Sequence, residues 1–166
     1  PDAAKEYLNN GTKTESDFNN SEKEDKVNKK KSNDGGPVKT FISDWWTLEH
    51  DLALSGLIRE VYVAVQLAKK EKSKGDVLTA REIVEIKRKT KKRIDHWKTR
   101  GDTLESMAAK AYKALYKRQA SKAVTAQYLA DCLSRTSQIS EILKNLLPAY
   151  LVKAVEYVTG GPKSKE

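Results

Sequence analysis

A single cysteine, Cys132, and only two histidines, His50 and His96, stand in 166 residues. One cysteine closes no internal disulfide, and these three residues match none of the ligand spacings of a structural zinc site. Long apolar runs are missing as well. Nowhere do eighteen apolar residues follow one another, and there is no charged-then-apolar leader with a small-residue cleavage site. The expectation is a cytoplasmic chain without a membrane span or secretory signal. Apolar residues are 38% and charged residues 33%, respectively below and above globular averages, so part of the chain is expected to lack a core. The length suits about one domain, or a large piece of one.

What is present is positive charge. The net charge is +9, from 32 basic and 23 acidic residues. Residues 1–36 carry 7 basic and 8 acidic groups, so the basic excess lies entirely beyond them. Such a balance favours a polyanionic partner and leaves the fold open.

The chain divides by composition. Residues 3–11, AAKEYLNNG, set Ala4, Tyr7 and Leu8 on one face and close on Asn10-Gly11, which reads as the end (1–10) of a truncated helix, one whose beginning precedes Pro1. From 11 to 37 only Phe18 and Val27 are sizeable apolar groups, too few to offset ordering entropy, so a disordered polar linker or loop is expected. Residues 38–160 are read as the folded part, and 161–166 as a flexible tail.

Within the folded part, VKTFIS (38–43) alternates Val38, Thr40 and Ile42 against Lys39, Phe41 and Ser43, the period of a short strand. A lone strand needs partners, supplied by another chain or by a sheet encoded before Pro1. The remainder reads as helices. Leu48, Leu52, Ile58, Val61, Val65 and Ala68 recur at three and four spacing from Thr47 to about Lys70. Thr79 and Glu82 make a capping box for a helix carrying Ile83, Ile86, Ile94 and Trp97 and ending at Gly101. Asp102 and Glu105 repeat the device ahead of the stripe Leu104, Met107, Ala108, Ala111, Leu115 and Tyr116. Ser121 or Lys122 opens a further helix with Val124, Tyr128, Leu129 and Cys132 inward. Residues 139–147 and 148–159 give two last pieces, with Pro148 in a first turn and Gly160 past the end. The fold class expected is mainly α, five or six helices with one short strand.

Several residues could carry chemistry. Glu49, His50 and Asp51 fall where the strand gives way to a helix, and a carboxylate there can bind Mg²⁺ with phosphate oxygens and water. The plainer role of Glu49 is to complement a helix N-terminus. His50, with no nucleophile beside it by motif, reads as a surface or capping histidine. Trp45 and Trp46 suit core or interface packing. From Lys69 to Arg100 there are 13 basic and 5 acidic residues, including Lys87, Arg88, Lys89, Lys91, Lys92 and Arg93. These cover most of a helix and suit phosphate-backbone contact, with Lys87, Arg88, Lys91, Lys92 and Arg93 as nucleic-acid candidates and no base readout. Lys122 stands at or near a helix start, where the dipole disfavours a cation, and a lysine so placed can stabilise developing phosphate charge.

Three stretches, FISDWWTLEHDLALSG (Phe41 to Gly56), SKAVTAQYLADCL (Ser121 to Leu133) and LPAYLVKAVEYVTG (Leu147 to Gly160), together resemble the end of the OLD family of nucleases. There an ABC-type ATPase precedes a TOPRIM nuclease domain whose late part has a strand, a T-L-E-x-D-L helix start, a K-x-x-x-A-x-x-L-A helix and a closing P-x-Y-L-x-x-A-I-x-Y-V helix. The resemblance implies the helical C-terminal portion of an α/β TOPRIM domain, with an incomplete sheet in this chain. It implies Glu49 as a metal-site carboxylate and Lys122 as the lysine near the scissile phosphate. It also implies Mg²⁺ or Mn²⁺ in the complete domain, DNA as substrate, and ATP through an ATPase domain outside this chain. The partners implied are the upstream half of the same TOPRIM domain, the ATPase, and further copies of the parent in a homo-oligomer. The family's D-x-D carboxylates have no counterpart here and would lie before Pro1, so this chain alone is expected to be inactive. Defence against phage or plasmid DNA is the role the family suggests. The competing readings are a non-enzymatic basic helical module that binds nucleic acid or an acidic partner, and a purely architectural bundle.

Overall fold

The structure is a computed structural model that describes residues 39–43, 45, 47–135, 141 and 145–160. The helix end at 1–10, the linker at 11–37, the tail at 161–166 and most of the piece at 139–147 lie outside the described residues. The chain forms two compact units, Thr47–Leu147 and a second made of Pro1–Trp46 with Pro148–Glu166.

Four helices of the larger unit, all those described except Ile58–Lys74, begin at a side chain able to satisfy their first free amides. Thr47 Oγ1 accepts from the His50 N–H at 3.4 Å and opens α1 (Leu48–Leu52). After a wide turn over Ala53–Leu57 comes α2 (Ile58–Lys74), closed by Gly75 at φ 75°. The capping box of Thr79 and Glu82 is complete in both directions and opens α3 (Ala80–Thr99). Thr103 opens α4 (Leu104–Tyr116), and Ser121 opens α5 (Lys122–Ser134).

Helix α2 is the centre of this unit and packs on α3, α4 and α5, while α1 lies against α4. Val61, Ala64, Val65, Leu67 and Ala68 are each at most 1% exposed, a face so enclosed that truncating Leu67 to Ala should cost about 2–5 kcal/mol. Val63, Leu67 and Leu78 form a cluster on which Ile83, Ile86, Tyr128 and Cys132 pack, joining α2, α3 and α5. The Tyr128 hydroxyl in this seam donates to the Glu71 carboxylate. The mainly α class expected from periodicity is what is found, and no helix among the described residues is long and apolar enough to cross a membrane.

Four expectations are corrected. The strand over 38–43 does not form, since residues 39–43 have no regular structure. A strand needs a hydrogen-bonding neighbour, and within the smaller unit Phe41 packs instead on Tyr157, ring centroids 5.9 Å apart. The single helix from Thr47 to about Lys70 is broken by Gly56 at φ 112° and then runs on to Lys74. The cap of α4 is Thr103, whose Oγ1 accepts from the Ser106 N–H at 3.2 Å. Asp102 instead receives Arg100 at 2.7 Å and Lys110 at 2.5 Å. Pro148 is not inside the last helix but caps α6 (Ala149–Thr159), extended at ψ 139°, with Gly160 closing that helix at φ 65°.

Candidate functional site

The larger unit brings Glu49 and Lys122 together. Glu49 lies in the first turn of α1, where the dipole of its own helix favours a carboxylate. Lys122 is the first residue of α5, where the Ser121 hydroxyl already accepts the Val124 N–H at 3.4 Å. Lys122 Nζ stands 3.6 Å from Glu49 Oε2. The carboxylate therefore offsets the cost of a cation at a helix N-terminus.

The two partners differ in burial. The Glu49 side chain is 15% exposed and that of Lys122 60%. Oε2 of Glu49 is buried and accepts no hydrogen bond among the described residues, so the ammonium of Lys122, with the dipole of α1, offsets its desolvation. Lys122 also reaches over the ring of Tyr112, 5.8 Å from its centroid, and Tyr112 is buried. The result is an exposed ammonium anchored from below by a carboxylate and an aromatic face. Such a group can meet an incoming phosphate without leaving its partners.

His50 and Asp51 complete the surroundings of Glu49 and were not weighted fully by sequence. Both are buried, and His50 Nδ1 is 3.8 Å from Asp51 Oδ1, so His50 is not at the surface as expected. The signal for Asp51 was its place in T-L-E-H-D-L, next but one to Glu49. Trp45, read as a core or interface residue, is half exposed, and Trp46 lies outside the described residues.

The orphaned Oε2 of Glu49 is the kind of oxygen a hard cation takes. A magnesium or manganese site needs several donors, and among the described residues no three His, Cys, Asp or Glu side chains come together in a metal-binding group. The described residues thus do not by themselves make such a site.

The basic run on α3 is divided between two flanks. Thr90, Ile94 and Trp97 are buried and Ile83 and Ile86 partly so, which is the apolar seam expected. Lys92 and Arg93 face a groove between α2 and α3, with Lys89 and His96 beside them and Lys69 and Lys70 opposite. Lys87, Arg88 and Lys91 do not line that groove; Arg88 borders a separate shallow hollow with Arg81 and Glu85, and Lys91 pairs with Asp95 at 2.9 Å. Lys69 and Lys70 open the basic stretch read as Lys69 to Arg100, but they were not among the named nucleic-acid candidates because they belong to a different helix from the run 87–93.

No family model matches the chain, and neither a curated protein nor a solved structure does.

Proposed function

We propose that this chain is the C-terminal helical part of a TOPRIM-type nuclease domain, belonging to an OLD-like enzyme that hydrolyses phosphodiester bonds in DNA. The observation that carries the reading is the meeting of Glu49 and Lys122 at 3.6 Å. They come from separate helices and separate matching stretches, and they are the two positions to which the resemblance gives catalytic roles.

In this reading Lys122 is the cation that stabilises charge developing on the phosphate, and Glu49 fixes the position of its ammonium. Glu49 is also one carboxylate of a Mg²⁺ or Mn²⁺ site whose other ligands come from the upstream half of the domain. The ATPase domain, the homo-oligomer and the role in defence against foreign DNA follow from the same resemblance. The cellular setting is cytoplasmic.

The test is nicking of supercoiled plasmid by the whole enzyme with Mg²⁺. Glu49→Ala and Lys122→Ala should each lower the rate by roughly 10²–10³-fold, the cost of removing one group that stabilises transition-state charge. Full activity in both variants would remove the reading.

A further inference from the structure

The groove between α2 and α3 is strongly basic. Of its eleven lining residues five are Lys or Arg and none is acidic. Of the three acidic residues of α3, two pair with cations outside the groove and one with the groove-lining Lys89. Glu82 pairs with Lys74 at 3.0 Å, Glu85 with Lys89 at 2.6 Å, and Asp95 with Lys91 at 2.9 Å. The α2 carboxylate of Glu71 takes the Tyr128 hydroxyl. Lys69, Lys70, Lys92 and Arg93 are therefore left with no ion pair among the described residues, two on each wall of one groove.

The lining also carries uncharged polar groups. Tyr62 rests on Trp97, centroids 4.9 Å apart, and its hydroxyl is held above the usual phenol range by burial, with Arg93 opposing. Gln66 and Ser73 add uncharged hydrogen-bonding groups to the lining. On α3 the groove-facing positions Lys89, Lys92, Arg93 and His96 recur each turn, a row about 10 Å long at 1.5 Å per residue.

We propose that this groove binds the sugar–phosphate backbone of nucleic acid, independently of sequence. Four unpaired cations, two on each wall, with polar donors and one aromatic ring beside them suit successive phosphates, which are spaced along a strand and carry no base information. A membrane surface would call for apolar side chains at the rim. The exposed Val84 borders a different hollow, with Arg81 and Arg88. The groove goes beyond the Glu49–Lys122 reading and does not depend on it, because it would hold a backbone whether or not the pair cleaves one.

The experiment is fluorescence anisotropy of the 166-residue chain with a labelled DNA duplex in EDTA, where no cleavage can occur. Two variants carry the same change in net charge. K69E/K92E/R93E alters the groove, and K87E/K91E/K98E alters residues outside it. The groove variant should bind at least about 10-fold more weakly than the other, with helical content unchanged by circular dichroism. Unmodified chain should lose roughly 10²-fold in affinity between about 50 and 200 mM salt, as neutralising some four phosphates requires. Equal weakening in both variants, a flat salt response, or binding to phosphatidylserine vesicles in place of duplex would overturn the proposal. Full nicking activity in the Glu49 and Lys122 variants, which would remove the nuclease reading, leaves this result untouched, so the two readings fail separately.

Discussion

Leu146 lies over the bare α-carbon of Gly56: a methyl placed there would come 3.1 Å from Leu146 Cδ2. Gly56 is also at φ 112°, a conformation that side chains with a Cβ rarely adopt. The break between α1 and α2 is thus fixed twice, by backbone and by packing. It turns α1, and with it Glu49, out of the line of α2.

Gly56→Ala should therefore destabilise the larger unit by about 1–3 kcal/mol, the range for a residue forced into a sparsely populated backbone region. Leu146→Ala in the same chain would clear the space without relieving φ. Chemical denaturation of the single and double variants checks this: restoration of stability in the double variant would show that packing alone sets the break.

Two carboxylates predict the acid limb of stability. The guanidinium of Arg100 and then Lys110 hold Asp102 down at about 2. The Thr79 backbone N–H, followed by Lys74, holds Glu82 at about 2. Both are depressed in the folded state, so their contribution is complete above the unfolded value near 4 and is lost as pH falls through about 2. Asp102→Asn should be less stable at neutral pH and should lose less between pH 4 and 2. Thermal unfolding across that window gives the comparison, and parallel curves for variant and parent would contradict the assignment.

Cys132 is half-buried against the α2–α3–α5 seam. Burial, chiefly, pushes its thiol up, and Lys87 opposes the shift only in part. Thiolate being the reactive form, native protein at pH 8 should react with a disulfide reagent at least about tenfold more slowly than the unfolded chain. Equal rates would mean that the seam opens readily.

How much of this was legible in sequence depended on range. The Thr79–Glu82 box and the stop at Gly101 were readable because every partner lies within one turn. The α3 seam of Ile83, Ile86, Ile94 and Trp97 was readable because it follows the helical period along one element. Gly56 was not, since apolar spacing continues across it and Leu146, which covers it, is remote in the chain. Asp102 looked like a cap because its real partners, Arg100 and Lys110, are chosen by the turn between α3 and α4. Lys87 to Arg93 read as one surface, yet a helix sends that run to two flanks, and the groove gains Lys69 and Lys70 from α2. Glu49 and Lys122 were each visible singly. Their 3.6 Å approach is set by the packing of the bundle, which no local pattern encodes.

The central claim is that Lys122, anchored by Glu49, acts on the phosphate during cleavage rather than in binding. The most direct measurement is the single-turnover rate of plasmid cleavage by the whole enzyme carrying Lys122→Ala, with DNA affinity determined on the same preparation. The account predicts a rate lower by about 10²-fold or more with affinity held within about twofold, the signature of an interaction made only in the transition state. An unchanged rate, or a loss wholly explained by weaker binding, would contradict it.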